Sequence, residues 1–135
     1  MKYYKLDKSE LSFEHPENWK ISNEENIISV FDPIDGYGAL QFSVYNKNDN
    51  TPINLLDELG EYLSKRHEDC EILMKDKFAY CNCLDEEDIL WRYWLFQKKG
   101  NIIFASYNCT LNDGGKDDEI IDAIIKSACS LMSIS

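Results

Sequence analysis

Positions 39 to 45, ALQFSVY, alternate: Leu40, Phe42 and Val44 are apolar, and Gln41, Ser43 and Tyr45 carry polar groups. Successive side chains of a strand point to opposite faces, so this period of two predicts a strand with one face on a core. IISVF at 27 to 31 also reads as a strand, and DPIDGYG between the two, with a proline and two glycines, suits a hairpin loop. Asp32 and Asp35 in that loop are read as turn chemistry, because calcium needs more oxygen ligands at a defined spacing. Further on, FAYCNCL (78 to 84), ILWRYWLF (89 to 96) and NIIFASYNC (101 to 109) are separated by the short turns DEED (85 to 88) and QKKG (97 to 100). Three strands joined this way predict an antiparallel meander. ILWRYWLF is apolar on both faces apart from Arg92, as a central strand covered on both sides would be. A guanidinium buried there needs a carboxylate or carbonyl partner, since an unpaired buried charge is costly.

Two segments change period. Ile53, Leu55, Leu56, Leu59, Tyr62 and Leu63 follow Thr51-Pro52, a hydroxyl cap and a proline in the order that starts helices, and the run ends in Lys65, Arg66 and His67, cations suited to a helix C-terminus. Ile120, Ile121, Ile124, Ile125, Ala128, Leu131 and Met132 form a second stripe behind the acidic start Asp117-Asp118-Glu119, with a hinge at Gly114 and Gly115. LSF at 11 to 13 reads as a short strand ended by a turn at His15-Pro16-Glu17-Asn18, because proline fixes its own φ and keeps its predecessor extended. The sum is one α+β domain over residues 1–135, built on an antiparallel sheet of about five to six strands with two main helices at about 51–67 and 117–132. A sheet edge left open at 39–45 or 101–109 would allow pairing between two chains, so a homodimer is one reading and a monomer the other.

Charge narrows the partners. Lys and Arg number 14 against 25 Asp and Glu, a net charge of −11, which repels phosphate backbones and anionic membrane surfaces. The expectation is therefore no nucleic acid and no membrane, with a basic protein surface as the complementary partner. The first residues, MKYYKLDKSELSF, lack the apolar stretch of an export signal, and nothing later approaches the ~20 apolar residues of a membrane span, so the chain is expected to be cytoplasmic. Five cysteines, an odd number without the layout of a disulfide framework, fit that reducing compartment as buried thiols. Cys81-Asn82-Cys83 would put two thiols on one strand face. Structural zinc wants four ligands, so packing is the preferred reading and no metal or cofactor is expected.

No G-x-S-x-G, G-x-x-x-x-G-K, H-E-x-x-H or G-x-G-x-x-G occurs; His67 reads as a helix-end histidine, and His15, ahead of a proline in a turn, as structural or solvent-facing. No catalytic residue is assigned. The candidate ligand or partner contacts are Trp91, Arg92 and Tyr93, together with the acidic turn Asp85, Glu86, Glu87 and Asp88. Trp91, Tyr93, Trp94 and Phe96 read first as packed core. The alternative is a groove in which Arg92 grips a carboxylate, for an enzyme or a small-ligand binder. A third reading is an immunity-type protein, because a small acidic domain suits inhibition of a basic toxin.

FEHPENW at 13 to 19 sets Phe13, Pro16 and Trp19 at three-residue intervals, which fits a strand, a proline turn and a tryptophan folding back to close one end of the sheet. This aromatic-x-x-Pro-x-x-Trp segment, followed by IISVFDPIDGYGALQFSVY, a helix, a three-stranded meander and a last helix, resembles the PsbP-like and Ran-binding Mog-like fold family. The resemblance implies an α/β/α sandwich serving as a non-catalytic protein-binding adaptor. It carries over no functional residue.

Overall fold

In the computed structural model, which describes residues 1–6, 10–25, 27–46, 52–66, 70–75 and 77–130, the alternating segments become strands and the 3.6-period stripes become helices. In chain order these are β1 (Lys2–Lys5), β2 (Ser12–His15), β3 (Lys20–Glu24), β4 (Ile27–Phe31), β5 (Gly38–Asn46), α1 (Leu55–Leu63), β6 (Ile72–Lys75), β7 (Phe78–Leu84), β8 (Ile89–Lys98), β9 (Asn101–Thr110) and α2 (Asp118–Ser130). β1 and β2 form a separate hairpin. The other seven strands make one sheet in the order β3-β4-β5-β9-β8-β7-β6, with antiparallel neighbours throughout.

Alternation along the strands produces two cores. On one face, Ile28, Val30, Leu40, Phe42, Trp94, Phe96, Ile103 and Ala105 meet Ile121, Ile124, Ile125 and Ala128 of α2, with Leu11, Phe13 and Trp19 filling the same cluster. On the other face, Leu59 and Leu63 of α1 cover Ala79, Cys81, Cys83, Tyr93, Leu95 and Phe104. Helices on opposite faces of one sheet make this an α/β/α sandwich. β8, flanked by β7 and β9, is covered on both sides, as its two-sided apolar pattern predicts.

The Phe-x-x-Pro-x-x-Trp segment gains its meaning here. Phe13 is fully buried and stacks on Phe42 with ring centroids 4.9 Å apart, while the Trp19 amide donates to the Pro16 carbonyl at 3.1 Å and turns the indole back into the same core. Burying each such ring contributes about 2–3 kcal/mol of transfer free energy. His15 is not in the turn. It ends β2, is buried, and holds its Nδ1 2.9 Å from the Pro16 carbonyl oxygen.

The structure corrects several expectations. The sheet has seven strands, because the polar edge strand KISNE (β3) and the short ILMK (β6) carry little apolar alternation and owe their form to the neighbours they pair with. The edges are therefore β3 and β6, and the 39–45 and 101–109 segments lie inside the sheet. The first helix is shorter than predicted. Asn54 caps it, its side chain accepting from the Asp57 amide at 3.1 Å; Pro52 and Ile53 precede it, the Ile53 amide donating instead to Gln97 Oε1, and Thr51 and His67 lie outside the described residues. The cysteines are not all thiols. Cys70 and Cys83 form a disulfide across the β6–β7 hairpin, while Cys81, Cys109 and Cys129 keep their thiols. The reason is register: Ile72 lies opposite Cys81, so Cys70, two residues earlier, comes opposite Cys83, and the two Cα atoms are 5.9 Å apart.

Two buried phenols, Tyr93 and Tyr107, and the partly buried Tyr62 give the fold an alkaline limit. Burial pushes Tyr62 and Tyr93 up to about 12, and burial together with the carboxylate of Asp117 pushes Tyr107 higher still. A group whose pKa is raised on folding contributes stability that is complete below its unfolded pKa, near 10 for tyrosine, and is lost as pH rises toward the folded value. Urea midpoints should therefore fall steeply between about pH 10 and 12, with tyrosinate absorbance rising in step with unfolding. A midpoint flat across that window would contradict the burial of these phenols.

Candidate functional site

The 85–88 turn, the segment that follows β9 and the β4–β5 loop lie at one end of the sheet, opposite the 97–100 turn. Register shows why: Leu84 pairs with Leu90, Leu90 with Cys109, and Cys109 with Gly38, so one row of residues crosses four strands. Immediately beyond that row lie the loops 32–37, 85–88 and 111–119. They hold ten acids, Asp32, Asp35, Asp85, Glu86, Glu87, Asp88, Asp113, Asp117, Asp118 and Glu119, against a single cation, Lys116.

Some of these acids hold the loops in shape. Asp85 Oδ1 accepts the amides of Glu87 (2.8 Å) and Ile89 (3.0 Å), and its Oδ2 accepts the Trp91 indole N–H at 2.9 Å. Asp88, with φ near 60°, completes the turn, and its carbonyl accepts the Leu111 amide, tying the loop to the end of β9. Asp32 Oδ1 accepts the Ile34 and Asp35 amides. Asp113 is held low by hydrogen bonds from Lys116 and Thr110, and Lys116 is raised in return. Asp117 is buried and accepts the Tyr107 hydroxyl at 3.0 Å, packing the start of α2 against β9. Asp35, Glu86, Glu87, Asp88 and Glu119 face solvent.

Large apolar side chains stand exposed among these acids. Ile34 is 84% exposed, Leu84 54%, Leu111 47% and Tyr37 42%; Leu84 lies in the row, Tyr37 next to it, and Leu111 and Ile34 in the loops beyond it. Lys116 Nζ rests 4.8 Å from the centre of the Tyr37 ring. A groove of about 870 Å³ opens next to Leu84, with Ser64, Lys65 and Arg66 after α1 on one wall and Asp85, Glu86 and Glu87 on the other.

Alternation separates the aromatic candidates from their cation. Trp91 and Tyr93 point to the α1 face, where their rings stack with centroids 5.8 Å apart. Arg92 points to the α2 face, lies over Trp94 at 4.8 Å and Tyr80 at 5.6 Å, and pairs with Asp118 at 3.2 Å and Asp122 at 2.5 Å. Its side chain is 12% exposed, and its charge is held firmly: burial pulls the pKa down, but the Asp122 hydrogen bond and the Tyr80 contact outweigh it. Arg92 thus has the carboxylate partners its position demands. A cleft of about 110 Å³ touches Trp91 and Arg92 but not Tyr93, so the three do not line one ligand groove.

The α1 face carries a sulfur cluster as well. Cys70, Cys81 and Cys83 bring their sulfurs within 4.8 Å of one another. Pairing of β6 with β7 supplies Cys70, the member that the Cys81-Asn82-Cys83 spacing does not reveal. Ile34, Leu84 and Leu111 left no periodic signal either; the one clue was a β-branched apolar residue inside the turn-rich DPIDGYG.

Among the described residues no helix is long and apolar enough to cross a membrane. No family model matches the chain, and no curated protein matches it. Solved structures do. A crystal structure from Bacteroides thetaiotaomicron superposes with a TM-score of 0.66 at 12% identity over 93% of this chain, which spans 47% of that protein. The solution structure of cyanobacterial PsbP (CyanoP) from Synechocystis superposes with a TM-score of 0.65 at 12% identity, covering 93% of this chain and 89% of that one. At such identity the likeness concerns architecture alone, and it gives the chain a PsbP-like fold.

Proposed function

We propose that the protein is a non-catalytic interaction module of the cytoplasm that docks a basic protein partner on the loop end of its sheet. The observation that carries the reading is the pairing there of exposed Ile34, Tyr37, Leu84 and Leu111 with ten acids against one lysine. Apolar residues at the centre of a patch supply affinity through burial, while a rim of one charge speeds encounter and selects the partner's sign. A partner of this chemistry carries lysines or arginines around an apolar contact. A basic toxin would be one such partner. The phenols whose titration is pushed far up, Tyr62, Tyr93 and Tyr107, lie in or against the cores and shape the fold, which favours binding over catalysis.

The test is capture from the host's own lysate by the wild-type chain and by an Ile34→Asp/Leu111→Asp variant, whose exposed positions leave the cores untouched. A basic protein retained in stoichiometric amount by the wild type, released as salt rises to about 0.5 M, and absent from the variant supports the reading. Equal capture by both chains would remove the loop end from the interface.

A further inference from the structure

We propose that the reduced chain binds one thiophilic d10 cation of the zinc or copper(I) kind on Cys70, Cys81 and Cys83, with a remaining coordination position opening on the adjacent groove. This goes beyond the docking reading and does not depend on it.

The three sulfurs come from two paired strands. Cys81 and Cys83 project from the same face of β7, and Cys70 lies across from Cys83 just ahead of β6. Cys81 Sγ is 3.4 Å from Cys83 Sγ, and all three sulfurs fall within 4.8 Å. A cation with metal–sulfur bonds of about 2.3 Å spaces its thiolates about 3.8–4.0 Å apart, so the cluster needs only small side-chain rotations once the Cys70–Cys83 bond is open.

Cys70 and Cys83 also line the 870 Å³ groove, between Lys65 and Arg66 on one wall and Asp85, Glu86 and Glu87 on the other. Thiolate coordination releases protons, so affinity should fall as pH falls.

Opening the site takes two electrons. A phosphine supplies them: it takes up the oxygen of one water as phosphine oxide, the S–S bond breaks, and the two sulfurs leave as thiols. Binding then releases the thiol protons to solvent.

The experiment titrates Cd²⁺ into phosphine-reduced protein, freed of reductant without oxygen, and follows the ultraviolet thiolate-to-cadmium charge-transfer band. The expected result is a band saturating at one equivalent, absent from the unreduced protein, unchanged in Cys109→Ala, and shifted to about 100-fold higher Cd²⁺ in both Cys70→Ala and Cys81→Ala. Cys70 lies at the surface edge of the cluster, so its variant reports on the site without disturbing the core. No saturating band in the reduced wild type, or an unweakened band in Cys70→Ala, would overturn the proposal.

Discussion

Replacing Trp94 with alanine is expected to cost about 4–5 kcal/mol, a large part of the 5–15 kcal/mol that holds a domain of this size together. Trp94 is among the largest fully buried side chains, at the centre of β8 and inside the α2-side core. Its loss opens a cavity that the sheet backbone cannot collapse to fill. It also removes the ring lying 4.8 Å from the Arg92 guanidinium, leaving that cation with Tyr80, Asp118 and Asp122 alone. Urea denaturation should show the loss as a lower midpoint with little change in slope. Trp94→Phe, which keeps a ring under the guanidinium, should recover more than half of it. A loss below about 2 kcal/mol for the alanine variant would contradict the packing of this core.

Gly38→Ala should be nearly as damaging although it adds one methyl group. A Cβ at this position would stand 2.2 Å from the Asn108 carbonyl oxygen and 2.8 Å from Tyr107 Cζ. The oxygen belongs to the backbone of β9 and cannot swing aside, so β5 and β9 must separate where they pair, at Gly38 opposite Cys109. The clash also presses on the Tyr107 ring, whose hydroxyl holds Asp117 and the start of α2. A cost of about 3 kcal/mol or more is expected, at the upper end for overpacking because the neighbour is main chain. Thermal unfolding checks it, and an unchanged midpoint would mean that the two strands are not in this register.

These two residues illustrate what the chain made legible. Trp94 could be placed because ILWRYWLF is apolar on both faces, a pattern that a covered central strand requires. The partners of Arg92 could be expected in kind and not in identity, since Asp118 and Asp122 come from α2, 26 and 30 residues away. Gly38 gave no sign, because the close approach that demands glycine is made by a strand some seventy residues later. β3 and β6 escaped for a related reason: KISNE and ILMK are strands by virtue of their neighbours. Missing β6 meant missing the register that sets Cys70 across from Cys83, and with it both the disulfide and the three-sulfur cluster.

The candidate site divides in the same way. The acids of the 85–88 turn were visible as a charge run, but their separate duties were not: Asp85 clasps the turn and the Trp91 indole, while Glu86 and Glu87 face solvent. Trp91, Arg92 and Tyr93 are adjacent in sequence and are parted in space by the two-residue period of the strand that holds them. The exposed apolar patch depends on three loops converging, which register across β7, β8, β9 and β5 brings about.

The central claim is that this loop end is the face that meets a partner. The most direct measurement compares capture from host lysate, at about 0.05 M and 0.5 M salt, by the wild type, by Ile34→Asp/Leu111→Asp, and by a control changed at exposed Leu73 on the β6 edge. The account predicts one basic protein bound by the wild type and the edge control at low salt, released at high salt, and lost from the loop variant at both. Capture that survives in the loop variant and fails in the edge control would contradict it and move the interface to the open edge of the sheet.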